Sequence, residues 1–308
     1  MGAKKILSVA ILLALVALAI FYLQRNIEDF KQLTITNPHF LIAIVLIFLI
    51  TYIFISIVTT TLLRPLGVNI GKREAFALSI VTGFYNLITP FRGGMAARAV
   101  YLKKRYNFAY VDFLATLSAS YVLIFLVASV LGIISTLVIY FKTEVFSWVL
   151  FFIFLVVFLG GLFIIILSPK FKETKNKWLD RFIKVINGWH LIKHNPKIIT
   201  LTIIITFVQL LLSTLMLYLQ FLTFGIEISF ASVLFLSAIG NLSILIGITP
   251  GNLGISEAIT VFSAATIGIT PAESLSAALL GRAVSLVVLF ILGPIFSWAL
   301  MRKIKTKK

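Results

Sequence analysis

Six apolar runs, each long enough to cross a bilayer as a helix, limit what this 308-residue chain can fold into. They lie at about 6–23, 39–63, 111–140, 145–168, 198–222 and 274–301. A water-soluble fold needs a charged surface, yet 60% of the residues are hydrophobic and only 12% are charged. An ordinary soluble domain carries roughly 25% charge. The solvent for most of this surface is therefore lipid. Lys4 and Lys5 precede the first run as in a secretory signal, but no A-x-A-like cleavage site follows, so it reads as an uncleaved span.

The polar remainder is lopsided, with 27 Lys and Arg against 10 Asp and Glu. In a soluble chain that excess points to nucleic acid; beside membrane spans it reports orientation, because basic residues collect on the cytoplasmic side. Alternate connections hold 23 of the 27 basic residues: two at the N-terminus, eight over 64–105, eight over 170–197 and five over 302–308. The other connections hold Arg25, Lys31 and Lys142, and Arg282 alone lies inside a span. Both termini are expected in the cytoplasm of a multi-pass plasma-membrane protein. The basic stretch from Phe171 to His194 places Trp178, Phe182, Ile186 and Trp189 at helical spacing, as an amphipathic helix on the cytoplasmic face does.

Two further apolar segments, 74–104 and 228–268, are broken by Pro and Gly at mid-length, and neither half is long enough to cross alone. An odd number of crossings in either would destroy the charge alternation. Each is therefore expected to enter and leave on one side, as a helical hairpin or a pair of short helices. Their middles match: Thr89-Pro90-Phe91-Arg92-Gly93-Gly94 and Thr249-Pro250-Gly251-Asn252-Leu253-Gly254. A span ends 26 residues before Thr89 and another ends 27 before Thr249. The repeated unit is span, hairpin, span. It occurs at about 39–140 and 196–301, separated by one span and the basic linker over 145–195, with the basic tail 302–308 following. One intervening crossing inverts the second copy. The expected fold is an all-α integral membrane protein in one domain, with six transmembrane helices and two oppositely oriented broken or re-entrant hairpins related as an inverted repeat.

Irregular backbone at membrane depth is tolerated only where it is buried in protein or lines a wet cavity. The two bends are thus expected to face a shared cavity. Helices restarting after Gly94 and Gly254 would present free N–H groups there, which suits an anion. Arg92, Arg98 and Arg282 against Glu257 leave the region positive, and an arginine fork suits a phosphate. Glu257 either orients an arginine or takes up a proton. Plainer readings stand beside these. Arg98 also suits a side chain reaching the interface with Lys103–Arg105. Arg282 and Glu257 also suit a structural ion pair, and Thr89 and Thr249 suit turns before proline. Pro294 reads as a kink in the last span.

Enzymatic chemistry finds little support. The three histidines, His39, His190 and His194, sit at span edges or on the surface helix, so no nucleophile has a base. There is no cysteine, no HExxH, no carboxylate cluster and no P-loop, so no metal or nucleotide cofactor is expected.

The stretch L-I-T-P-F-R-G-G-M-A-A-R-A-V at 87–100 and T-P-G-N-L-G-I-S-E-A at 249–258 resemble the lysylphosphatidylglycerol synthase transmembrane region family, flippase-like proteins that also occur free-standing. The second stretch is similar to that family's P-G-G-x-G-x-x-E pattern at Pro250, Gly251, Gly254 and Glu257, with Asn252 in place of a glycine. The first resembles P-x-x-x-G-E-x-x-R at Pro90, Gly94 and Arg98, with Met95 where an acidic residue is usual. The synthases' soluble aminoacyl-transfer domain is missing, so the resemblance implies lipid translocation, not lipid aminoacylation. The expected function is binding and translocation of an anionic phospholipid or lipid-linked glycan carrier. Its phosphate would meet Arg92, Arg98 and Arg282, with Thr89, Thr249, Asn252 and Glu257 around it. A secondary transporter for a small organic anion shares this charge logic, and a non-transporting lipid-binding scaffold is the reading from another class. The partners expected are membrane lipids and no nucleic acid; the sequence sets no oligomeric state.

Overall fold

The computed structural model describes residues 34–167, 172, 183 and 195–305, and among them every regular element is helical. In chain order the α-helices are α1 (Phe40–Leu63), α2 (Lys72–Ile88), α3 (Gly93–Tyr106), α4 (Tyr110–Thr143), α5 (Trp148–Leu167), α6 (Pro196–Thr223), α7 (Phe230–Leu242), α8 (Ile255–Ala265) and α9 (Pro271–Lys305). Five of these, α1, α4, α5, α6 and α9, are long and apolar enough to cross a membrane. The expected span at 6–23 lies outside the described residues. So does the expected surface helix with Trp178, Phe182, Ile186 and Trp189. Pro294 lies inside α9 without ending it.

Both interrupted segments form two helices around a break, and the breaks share one backbone logic. The residue before a proline is pushed out of the helical region: Thr89 and Thr249 are extended, at φ −123° and −82°. Each proline then opens a 3-10 turn, Pro90–Arg92 or Pro250–Asn252. Left-handed residues follow: Phe91 and Arg92 (φ 54° and 55°) in the first break, Gly251 and Asn252 (φ 58° and 57°) in the second. The chain re-enters the helix at Gly93, two residues before the expected restart after Gly94, and at Ile255, directly after Gly254 as expected.

Packing fixes the direction of each element. Thr36 and Asn37, just before α1, donate backbone N–H groups to Thr223 O at the C-terminal end of α6. Val58 and Leu62, late in α1, pack with Ile198 and Ile205, early in α6. α1 and α6 are therefore antiparallel. α4 and α9 are likewise opposed, because Phe113 clusters with Leu300 at one end and Ile139 with Ala277 at the other. α2 packs along α9, and α7 packs along α4. Each hairpin's first helix thus lies on the closing span of the other half.

The crossing of α2 and α3 depends on one small residue. A Cβ on Gly94 would fall onto the Thr82 carbonyl oxygen and within 2.8 Å of the Asn86 backbone nitrogen. Neither is a side-chain tip that can swing away. Gly94→Ala is expected to cost about 1–3 kcal/mol through overpacking, read as a lower thermal midpoint in detergent.

Candidate functional site

The two breaks meet inside the bundle. Phe91 donates its backbone N–H to Ile248 O at 3.3 Å, joining the first turn to the residue just before the second. Between them lies a cavity of about 210 Å³, lined by Tyr52 of α1, Asn86 of α2, Arg92, Thr249, Asn252 and Ser285 of α9, among others. Arg92 is placed there by its left-handed backbone just before α3. Its Nη1 donates to the Tyr121 hydroxyl on α4 at 2.6 Å, and its guanidinium lies 5.5 Å from that ring's centroid. No carboxylate pairs with Arg92 among the described residues.

Arg282 is fully engaged by the second break. Its Nε and Nη2 donate to Glu257 Oε1 at 2.9 and 2.6 Å, Nη2 also reaches Ser256 Oγ at 2.9 Å, and Nη1 donates to Gly251 O at 2.6 Å. Glu257 Oε2 accepts the Gly254 N–H at 2.7 Å, capping the restart of α8. The two side chains are only 14% and 11% exposed. Both line a second cavity of about 230 Å³ together with Ser256, Thr260, Gly281 and Ser285, and Ser285 also borders the central cavity. A fork with all three nitrogens committed to protein leaves little for a ligand.

The remaining expected residues divide. Thr249 lines the central cavity but gives its hydroxyl proton to Leu253 O at 2.8 Å, and Thr89 bonds Tyr85 O and does not line the cavity. Both therefore act as turn formers in this conformation. Asn252 lines the cavity, and its Oδ1, like that of Asn86, is buried with no hydrogen-bond partner. Arg98 lines a separate, smaller cavity. Tyr52, Asn86, Tyr121 and Ser285 were not singled out by sequence. Each is one polar residue in or beside an apolar run and carries no positional signal, unlike Ser256, the neighbour of Glu257.

A second polar cluster ties the hairpin of α2 and α3 to the end of α9. Glu74 Oε1 accepts from the Tyr101 and Tyr106 hydroxyls at 2.6 and 2.7 Å, and Oε2 accepts from Lys303 Nζ at 2.8 Å. Burial alone would push the Glu74 carboxyl up, but the hydrogen bonds from Lys303, Tyr101 and Tyr106 outweigh it and hold the group below its usual range. A lowered folded pKa stabilises above the ordinary carboxylate value of about 4.3 and is lost as pH falls through the folded value. The difference in thermal midpoint between wild type and Glu74→Gln is therefore expected at pH 7 and should shrink on acidification below about pH 4.

Five membrane-length apolar helices, with two broken hairpins whose turns touch at a cavity of mixed polar and apolar lining, define a multi-pass membrane protein with an internal ligand-sized site. Residues 5–293 match the family described as the lysylphosphatidylglycerol synthase TM region, and the chain belongs to that family. It is 25% identical over 309 aligned positions to the UPF0104 membrane protein MJ1595 of Methanocaldococcus jannaschii, covering 90% of each chain. No solved structure matches.

Proposed function

We propose that this protein binds an anionic phospholipid or lipid-linked glycan carrier and moves it across the membrane, with the headgroup phosphate held in the cavity between the two breaks. The observation that carries this reading is Arg92: a guanidinium lining that cavity, with one donor on a tyrosine and no carboxylate partner among the described residues. An uncompensated cation at membrane depth is costly unless an anion joins it. At about 210 Å³ the cavity suits a headgroup, not acyl chains, which stay in the bilayer. Arg282 and Glu257 serve as the brace that holds the second break in shape. The reading assigns transport, not catalysis, and no cofactor.

The proposed frame is an inverted repeat of 39–140 and 196–301 within six spans, both termini cytoplasmic, in the plasma membrane. It is supported by the antiparallel pairing of α1 with α6 and the reciprocal packing of α2 on α9 and α7 on α4. Alternating access is supported by the breaks themselves. Each carries a non-glycine residue at positive φ and has a buried amide oxygen without a partner beside it, as expected where backbone rearranges between two states.

Two measurements test this. The chain has no native cysteine, so single cysteines at the exposed Lys104 and Glu227 report topology directly. They are expected to react with impermeant reagent from opposite sides; reaction from the same side removes the inverted repeat. Mass spectrometry of the purified protein is expected to find a co-purifying lipid with an anionic phosphate. A lipid-free protein that instead binds a soluble organic anion would move the reading to secondary transport.

A further inference from the structure

Arg98 presents a charge problem that the central cavity does not solve. Its side chain is 9% exposed. Nε donates to Thr82 Oγ1 at 3.0 Å and Nη1 to Thr59 Oγ1 at 3.2 Å. Both hydroxyls give their own protons to backbone carbonyls, Thr82 to Leu78 O and Thr59 to Ile55 O. They therefore supply dipoles, not charge. Nη2 donates to no described residue, and no carboxylate pairs with Arg98 among the described residues. A guanidinium has five N–H donors and does not lose its proton in proteins.

Arg98 borders a cavity of about 40 Å³ between α1, α3 and α4, whose polar lining is Thr59, Arg98, Thr116 and Ser120. Ser120 has no described hydrogen-bond partner, and Thr116 donates to Phe113 O. The rest of the wall is aliphatic or aromatic: Val58, Leu62, Leu63, Leu102, Phe113 and Leu117. This lining offers a cation, hydroxyls and apolar surface, but no acid. Water alone would hydrogen-bond the donors and leave the charge unopposed in a low dielectric, whereas an anion answers both needs. Charge narrows the class: one guanidinium answers one negative charge, and a wall otherwise apolar offers little solvation to a multiply charged ion, so a small monovalent anion fits best.

We propose that the cavity beside Arg98 is a binding site for a small monovalent inorganic anion of the halide class, which serves as the counter-ion of Arg98 and is distinct from the lipid phosphate at Arg92. The proposal goes beyond the transport reading and takes from it only that this part of the bundle lies in the membrane.

The test uses the full-length protein, delipidated in a neutral detergent, with chloride exchanged for gluconate at constant ionic strength. The expected result is a saturable rise in thermal midpoint of about 3–10 °C with chloride or bromide, absent in Arg98→Met. If Arg98→Met does not fold, Ser120→Ala with Thr116→Val is expected to weaken the half-saturating halide concentration several-fold, and bromide-soaked crystals of wild type should show an anomalous peak in contact with the Arg98 guanidinium. Equal midpoints in chloride and gluconate, an undiminished halide effect in Arg98→Met, or no bromide peak at Arg98 overturns the proposal. Stabilisation by phosphatidic acid with none by halide also overturns it, and would assign Arg98 to lipid while leaving the transport reading intact. Loss of transport in Arg92 variants, or its absence in wild type, bears on that reading alone.

Discussion

Replacing Arg282 by methionine is expected to lower the stability of the folded protein by about 3–5 kcal/mol, the cost of breaking a buried ion pair and leaving one charge behind. For a chain of this size that is on the order of 10 °C in thermal midpoint. The reason is local. Arg282 is the single side chain that grips the carbonyl of Gly251, the hydroxyl of Ser256 and the carboxylate of Glu257 together. Gly251 sits at φ 58° in the second break, and Glu257 caps the helix that follows. Without the guanidinium, the break loses its tie to α9, and a carboxylate only 11% exposed must be protonated or stay unpaired. The double replacement Arg282→Met with Glu257→Leu removes both charges and is expected to regain a large part of the loss, as paired buried ions often do when exchanged for apolar groups. Thermal unfolding in detergent measures both. A single-variant loss below about 1 kcal/mol would place the pair with exposed surface bridges and remove its bracing role.

The fold was largely legible because its constraints are one-dimensional. Length and hydropathy locate spans, a proline ends a helix one residue early, and basic residues alternate between connections. These read out α1, α4, α5, α6 and α9, and both breaks at Thr89-Pro90 and Thr249-Pro250. The restart at Gly93, two residues before the expected position, depends on how tightly α3 crosses α2 at Gly94, which only packing decides. The site was legible in its charges and not in their partners. Arg92, Arg98, Arg282 and Glu257 stand out because charge is rare in such a chain. Which arginine is already neutralised depends on the α8–α9 contact, since Glu257 and Arg282 are 25 residues apart. Arg98 has no acid four residues or fewer away, with Met95 one turn before it, and its actual partners Thr59 and Thr82 come from two other helices. Tyr121 was hidden for a different reason: an aromatic hydroxyl in a long apolar run has no periodic signature that marks it as a partner.

The second large effect concerns Arg92. Arg92→Gly removes the guanidinium at a residue whose φ of 55° glycine adopts freely, so the backbone of the break is not strained by the change. The fold loses the hydrogen bond to Tyr121, the contact with its ring and the packing of the Arg92 stem beside Gly247, all local to the break. The thermal midpoint should therefore move little. Affinity for an anionic headgroup is expected to drop about 10- to 100-fold, since a hydrogen bond to a charged group contributes about 1.5–3 kcal/mol. Arg92→Lys keeps the charge but not the planar fork and should fall between. Tyr121→Phe frees one Arg92 donor and should leave lipid binding nearly unchanged.

The proposed passage of an anionic lipid headgroup through the joined breaks is measured directly by translocation in liposomes. Vesicles carry a trace of phosphatidylglycerol or phosphatidic acid labelled on the acyl chain, and an impermeant reductant quenches label in the outer leaflet. With wild-type protein, quenching is expected to continue past the outer-leaflet share as inner-leaflet lipid emerges, faster for the anionic lipids than for labelled phosphatidylcholine. Vesicles holding Arg92→Gly should be slower by about 10-fold or more. Quenching by wild type that stops where protein-free vesicles stop, or that runs equally fast in wild type and Arg92→Gly, would contradict the account.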